Sequence, residues 1–173
     1  MQYPRSLILL ISLLALGLGG CDDDDNDAGS EGPRFVTEVH VENTAGERVD
    51  SLPIGQDAVV VLTVRNRSTE AQSLTSSDAR TRDFVVLDDA EEAVRVWSTR
   101  HGFDQAVREV EFEPLETRRF DMEWEGLLDD DGQPLPVGQY EIQGWLSVEE
   151  EDGIDDLSPG QFRSTLQPFA IEG

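Results

Sequence analysis

Lysine is absent from this chain, and all 13 of its basic residues are arginine. Asp and Glu together number 37, so the formal net charge at pH 7 is −24. A surface of this sign repels nucleic acid and anionic lipid headgroups, and we predict no nucleic-acid partner. The acidic excess indicates either adaptation for solubility in salt or an acidic patch that binds a basic partner or divalent cations.

Cysteine and histidine are scarce: Cys21 is the one cysteine, and His40 and His101 are the two histidines. One cysteine cannot form a disulfide within the chain, and no Cys and His spacing is typical of zinc. The sequence also lacks a glycine-rich phosphate loop and a Gly-x-Ser-x-Gly motif. We therefore predict no catalytic residue, no metal site, no cofactor and no small-molecule substrate, and we expect that the protein is not an enzyme.

A hydrophobic run long enough to cross a membrane is missing as well. The apolar stretch from Leu7 to Leu18 falls short of the roughly 20 residues that a membrane-spanning helix needs. With Arg5 before it, this stretch is typical of a signal peptide over residues 1–20. It ends in Leu18-Gly19-Gly20-Cys21, which resembles the lipobox of bacterial lipoproteins.

The lipobox resemblance implies that the leader is removed before Cys21 and that the thiol of Cys21 carries lipid. It predicts a lipid-anchored protein of the bacterial cell envelope, on the periplasmic or outer face of a membrane. Residues 21–33 contain the acidic run Asp22 to Asp27 and almost no apolar side chain. This composition predicts a flexible acidic tether.

From residue 34 onward the pattern is that of short β-strands. Apolar side chains alternate with polar ones, and turn-forming residues separate the runs. Such a pattern predicts an all-β domain over residues 34–173, an Ig-like antiparallel β-sandwich of about eight or nine strands. The predicted strands are Phe35–Val41, Ala58–Val64, Leu74–Ser77, Asp83–Asp88, Val94–Trp97, Val107–Phe112, Phe120–Trp124, Tyr140–Val148 and Gln161–Ile171.

The three tryptophans, Trp97, Trp124 and Trp145, are predicted to lie in or near the core. The polar stretch after Trp97 is the best candidate for a protein-contact loop, because loops at the end of a sandwich commonly bind partners. Its candidate contact residues are Ser98, His101, Phe103 and Gln105. The alternative is that Phe103 only caps the core.

Two further acidic stretches, Asp129–Gly132 and Glu149–Asp156, are rich enough in carboxylates to be compared with known calcium sites. Neither has the alternating ligands and final Glu of an EF-hand. We predict that both are acidic surface loops.

A series of short motifs runs in order from about Leu74 to Leu146: Ser76-Ser77-Asp78, Asp83-Phe84-Val85-Val86, Val96-Trp97-Ser98, Phe103-Asp104-Gln105-Ala106, Phe112-Glu113-Pro114-Leu115-Glu116, the alternating Phe120, Met122 and Trp124, Gly138-Gln139-Tyr140, and Gly144-Trp145-Leu146. The order of these motifs resembles the BsuPI-type intracellular proteinase inhibitor domain family. Arg95 stands where the family commonly has a second tryptophan, and Leu115 stands where it commonly has glycine. The resemblance implies an Ig-like sandwich and a proteinase as partner, and it supplies no reactive-site residue.

Together these observations predict a lipid-anchored protein-binding domain of the cell envelope. Its expected partners are the membrane, through lipid on Cys21, and a second protein, for which a proteinase is one option. The alternative is a structural or accessory envelope lipoprotein that inhibits nothing. An enzyme or a calcium-dependent adhesion module is the third and weakest interpretation.

Overall fold

The computed structural model describes residues 33–148 and 161–173. The predicted leader, tether and Cys21 lie outside these ranges, as does the acidic stretch 149–156. Eleven strands and two short 3₁₀ helices, Trp97–Arg100 and Glu125–Leu127, are present in the described ranges. The strands are β1 Phe35–Glu42, β2 Arg48–Val49, β3 Ser51–Pro53, β4 Ala58–Asn66, β5 Gln72–Ser76, β6 Arg82–Leu87, β7 Ala93–Val96, β8 Arg108–Phe112, β9 Thr117–Trp124, β10 Gly138–Leu146 and β11 Gln167–Glu172.

The strands form two main sheets and one small one. Sheet A has the order β2-β1-β4-β9, sheet B has the order β3-β11-β10-β6-β7, and β5 pairs with β8 alone. The pairs are antiparallel except for β3 with β11, which is parallel. The prediction of an all-β sandwich is confirmed.

A close approach of β10 to sheet A shows how the two main sheets face each other. A Cβ atom on Gly144 would lie 2.8 Å from Cδ1 of Leu62 and 3.2 Å from Cγ2 of Val39. Only glycine allows the β10 backbone to come so near to these side chains. The core lies between the sheets, and Trp124, Phe84 and Phe169 are among its largest buried side chains.

Strand β4 is apolar on both faces, and its outward face is covered by charged side chains. Val61 points outward yet is 0% exposed. Its direct neighbours are His40 on β1 and Asp121 on β9. Arg119 reaches diagonally across β4 and donates two hydrogen bonds of 2.7 Å to Glu42. We infer that this ionic bridge shields Val61 from water.

The strand prediction differs from the structure in several details, and the predicted strand Gln161–Ile171 begins only at Gln167. The short strands β2 and β3 lie where the sequence indicated a turn and a lead-in to β4. They are two and three residues long, too short for a period-2 pattern to be visible. Trp97 begins a 3₁₀ helix instead of ending β7. None of the helices described is long and apolar enough to span a bilayer.

Candidate protein-contact surface

The candidate surface is the connection between β7 and β8, residues 97–107. We call residues 98–107 the contact loop, which extends the predicted stretch Ser98–Gln105 to the start of β8. Trp97 lies at its base, is 8% exposed and belongs to the hydrophobic core. This confirms the core prediction for Trp97. The loop therefore begins directly after a residue of the packed core.

His101 and Phe103 pack onto Trp97. The His101 ring stacks on the Trp97 ring with centroids 4.2 Å apart, and the Phe103 centroid lies 5.8 Å from that of Trp97. Nδ1 of His101 donates a hydrogen bond to the Trp97 carbonyl at 2.8 Å, since a carbonyl oxygen can only accept. His101 is exposed and Phe103 is half-buried against the core. The three rings therefore form one cluster at the foot of the loop.

Arg82 joins this aromatic cluster to sheet A. Its guanidinium carbon lies 5.7 Å from the centroid of the Trp97 ring and 5.9 Å from that of Phe120 on β9. A guanidinium within about 6 Å of an aromatic face is attracted to it. Nη2 of Arg82 also donates to the Asp121 carbonyl at 3.3 Å.

Asp83 anchors the first residue of the contact loop from inside the protein. Its carboxylate is 0% exposed and accepts hydrogen bonds from the N–H groups of Ser98 at 3.0 Å and of Phe84 at 2.9 Å. Arg80 lies 3.4 Å from the second carboxylate oxygen and donates to Oγ of Ser98 at 3.3 Å. Burial raises the pKa of the Asp83 carboxyl, because these contacts only partly offset the lost hydration.

Asp130 anchors the same segment from the outside. It accepts from the Val96 N–H at 3.1 and 3.2 Å, from the Thr99 hydroxyl at 2.6 Å and from Arg95 at 3.1 Å. Its own N–H donates to the Val94 carbonyl at 3.1 Å. Because β7 is the last strand of sheet B, Asp130 closes part of an edge that would otherwise be open.

Arg95, which donates to Asp130, is 5% exposed. Its partner, Asp130, is 35% exposed at the side chain.

The far side of the loop is fixed at Asp104. The Asp104 carbonyl accepts hydrogen bonds from the N–H groups of Ala79 at 3.0 Å and Ala106 at 2.9 Å. Gln105 is exposed, and Val107 is 68% exposed, more than any other large apolar side chain among the described residues. The loop is thus open to solvent along much of its length while its backbone is held at both ends.

The four predicted contact residues are therefore placed differently. His101 and Phe103 come together on Trp97, Ser98 is turned toward Asp83, and Gln105 faces solvent. A contact role for them stays a prediction. Within residues 33–148 and 161–173, no group of three or more His, Cys, Asp or Glu side chains is arranged to hold a metal ion.

Sequence reasoning missed Asp83 and Asp130 as anchors. A signal exists for Asp83, because it directly precedes the buried residues 84–87, and a carboxylate at such a place needs donors. Asp130 lies in a run of three aspartates, and nothing local distinguishes it from its neighbours.

Comparison with known proteins identifies the family. The family model of BsuPI, the intracellular proteinase inhibitor, matches residues 37–151. This range begins within β1 and ends beyond β10, and it is more than half of the chain.

The chain belongs to the BsuPI family. The BsuPI match contains the contact loop together with Asp83 and Asp130, its two carboxylate anchors. It confirms the family resemblance found in the sequence.

The BsuPI description also corrects the predicted location. The leader over residues 1–20 and the lipobox resemblance at residues 18–21 predict a lipid-anchored position in the cell envelope, whereas the family is described as intracellular and points to the cytoplasm. The envelope prediction is wrong, because the family that matches residues 37–151 is an intracellular one. Lipidation of Cys21 itself lies outside the described residues and stays a prediction.

A solved structure shows a similar fold at low sequence identity. The C-terminal domain of wzt matches with a TM-score of 0.50 and 9% identity over 82% of this chain and 75% of that domain. The β-glucosidase EmGH1 from Erythrobacter marinus matches with a TM-score of 0.43 and 15% identity over 80% of this chain, which spans only 15% of the glucosidase.

The CARDB domain of PF1109 from Pyrococcus furiosus gives a TM-score of 0.40 and 13% identity over 80% of this chain and 90% of that domain. At 9% identity the likeness to the wzt domain concerns the fold alone. None of the curated proteins compared matches the chain.

Proposed function

We propose that this protein binds a proteinase through the contact loop and inhibits it, without catalysing a reaction itself. The observation that carries the proposal is the loop: it is exposed at Gln105 and Val107 but fixed by Asp83, Asp130 and the Asp104 carbonyl. The BsuPI family supports a proteinase as the partner.

A fixed loop favours binding because less conformational entropy is lost when the complex forms. An inhibitor has a second need for rigidity, since a loop that stays in place is a poor substrate for the proteinase it occupies. The anchors therefore serve the proposed function by holding the loop in place.

Val107 is the side chain that we expect to contribute most at the interface. It is 68% exposed and precedes β8, which pairs with β5 in the small sheet. Burial of a valine side chain against a partner contributes about 1.5–3 kcal/mol. The partner surface that receives it is expected to be apolar.

Titration of the full-length protein against a panel of serine proteinases tests this proposal. We expect at least one proteinase to lose peptide-hydrolysing activity at micromolar protein, and Val107→Ser to weaken that inhibition about tenfold. Leu115→Ser is the matched control, because Leu115 is 53% exposed and lies beyond the other end of β8.

Two results would contradict the proposal. Unchanged proteolysis across the panel would favour a structural role without inhibition. Equal weakening by Leu115→Ser and Val107→Ser would move the contact away from the loop. Membrane attachment through lipid on Cys21 is a separate, sequence-based part of the proposal and does not affect this test.

A further inference from the structure

Three arginines lie side by side at one corner of the outward face of sheet A. Arg65 on β4 lies directly opposite Val36 on β1. The N–H of Arg67 donates to the Arg34 carbonyl at 2.7 Å, which continues the same antiparallel ladder by one pair. Because alternate residues of a strand share a face, Arg34, Arg65 and Arg67 are neighbours on that face. We call them the arginine cluster.

The arginine cluster is a cationic patch in a chain whose net charge is −24. Its three members are exposed, and none of them forms an ion pair with another residue in the ranges 33–148 and 161–173. By contrast, Arg119 on the same face is bound to Glu42 and Asp121. Like charges directly opposite each other on a sheet are destabilising, so the cluster costs stability that no described carboxylate offsets.

The backbone beneath the arginine cluster is fixed by Asn66, the residue between its two members on β4. Asn66 is 0% exposed. Its side chain accepts a hydrogen bond from the Ser68 N–H at 3.0 Å and donates to the carbonyls of Glu70 at 2.9 Å and Glu113 at 3.0 Å. The arginines therefore project from a backbone that needs no further ordering when a ligand binds, which favours binding.

We propose that the arginine cluster binds an acidic segment of another protein in an extended conformation. Alternate residues of an extended chain lie about 6.6–7 Å apart, and Arg65 and Arg67 have this spacing because both are on β4. Carboxylates at alternate positions of the segment therefore match these two arginines. Arg34 lies about 4.8 Å away on the neighbouring strand and contacts the same carboxylates. The planar guanidinium fork is suited to two parallel hydrogen bonds to each carboxylate.

The other charges on this face favour a short acidic segment over a long polyanion. Glu38 on β1 and Asp121 and Glu123 on β9 are exposed on the same face. A nucleic acid that continued beyond the cluster along the sheet would meet these carboxylates, whereas a segment of three or four residues meets the arginines alone. The cluster is separate from the contact loop, so the proposal does not rest on proteinase inhibition.

Titration of the full-length protein with a hexaglutamate peptide tests the proposal, with the backbone amide signals followed by NMR. We expect the Arg65 and Arg67 amides to shift and to saturate with a Kd of about 1 mM at low salt, since each exposed ion pair is weak. Binding should weaken at least about fivefold between about 0.02 and 0.2 M salt, because salt screens exposed charges. A hexaglutamine peptide should cause no shift.

The double variant Arg65→Gln with Arg67→Gln should weaken hexaglutamate binding about tenfold. The control is Arg48→Gln with Arg108→Gln, which makes the same change in net charge and should leave binding unaltered. Arg48 and Arg108 are exposed on β2 and β8 and form no ion pair with any described residue. The first double variant should unfold at the same temperature as the native protein or higher, because it removes repulsion between like charges.

Three results would overturn the proposal. The first is the absence of a saturable shift at the Arg65 and Arg67 amides. The second is equal weakening in the two double variants, which would mean that the peptide responds only to net charge. The third is tighter binding of a thymidine hexanucleotide than of hexaglutamate at the same amides, which would make the cluster a nucleic-acid site.

Discussion

Asp83 beneath the contact loop and Glu42 on the outward face of sheet A are both buried carboxylates, but their environments shift the pKa in opposite directions. Glu42 accepts two hydrogen bonds of 2.7 Å from Arg119, which with a contact from His40 lower its pKa from 4.5 to about 2. Asp83 meets mainly neutral N–H donors and an arginine at 3.4 Å, and burial raises its pKa.

The difference shows what each carboxylate stabilises. A close bidentate guanidinium compensates for lost hydration, so the ionised form of Glu42 is stabilised. Backbone N–H groups compensate less for lost hydration, so the ionised Asp83 carboxylate is less stable in its site. It is nevertheless the acceptor for the Ser98 N–H. Sheet A uses a charge pair to cover an apolar strand, whereas the loop region uses a costly buried charge to fix a backbone.

Removing the hydrophobic base of the loop should have the largest effect. Trp97→Ala is expected to lower the free energy of unfolding by about 3–5 kcal/mol, because it leaves a cavity and removes the surface on which His101 stacks. Trp145→Ala is the control, since Trp145 is half-buried and packs under the Arg163 guanidinium at 4.6 Å. Urea denaturation measures the free energy of unfolding of both variants. A fully stable Trp97→Ala protein would show that Trp97 is a surface residue.

Removing the inner anchor should cost less and act more locally. Asp83→Ala leaves the partly buried N–H of Ser98 without its acceptor and is expected to cost about 2–3 kcal/mol. Asp83→Asn keeps one acceptor oxygen and should cost clearly less. Hydrogen exchange of the Ser98 amide distinguishes the two variants. If the amide is equally protected in native and Asp83→Ala protein, Asp83 does not anchor the loop.

Removing the outer anchor should cost about 1–2 kcal/mol, because Asp130 is partly exposed and water replaces some of its contacts. Asp130→Ala also opens the edge of β7, so we expect concentration-dependent association. Light scattering and urea denaturation report the two effects. Asp131→Ala supplies the control, because Asp131 is exposed beside it. Identical behaviour of the two variants would argue against Asp130 as an edge cap.

The charge pair on sheet A should give the smallest effect, and it should depend on pH. Because the folded-state pKa of Glu42 is depressed, its stabilisation is present above about pH 4.5 and is lost as pH falls toward 2. Screening at the half-exposed Arg119 limits the contribution to about 1 kcal/mol.

Thermal unfolding from pH 2 to 6 should therefore show a flatter acid limb for Glu42→Gln than for the native protein. Glu123→Gln, an exposed change on the same face of β9, should leave the limb unchanged.

The raised pKa of Asp83 changes the pH dependence of stability in the opposite direction. Its ionisation opposes folding, so stability is gained as pH falls through its folded pKa, and Asp83→Asn should remove that gain.

Much of the fold was predictable because it depends on local pattern. The alternation of Phe120, Met122 and Trp124 is sufficient to place one face of β9 in the core, and the apolar run of β4 marks a strand covered on both sides. The core position of Trp97 and the family resemblance were likewise predicted from short stretches of sequence. Strands β2 and β3 were not predicted, because an alternation of apolar and polar residues cannot be recognised in a segment of two or three residues.

The arrangement of the candidate surface was not predictable, because its contacts join residues far apart in the chain. Ser98 reaches Asp83 across 15 positions, and Val96 reaches Asp130 across 34. Which of the aspartates 129–131 would meet β7 depends on how the turn after the second 3₁₀ helix is placed against sheet B. No local property of the three residues encodes that choice.

The sequence alone determined that this chain forms an all-β sandwich around aromatic and branched side chains, since burial of apolar faces at a period of two requires it. Tertiary structure alone decided which charges are buried and which carboxylates hold the contact loop. The reason is physical: apolar burial is non-directional and can be read from composition along a strand, whereas a hydrogen bond or ion pair exists only when folding brings two particular atoms within about 3 Å.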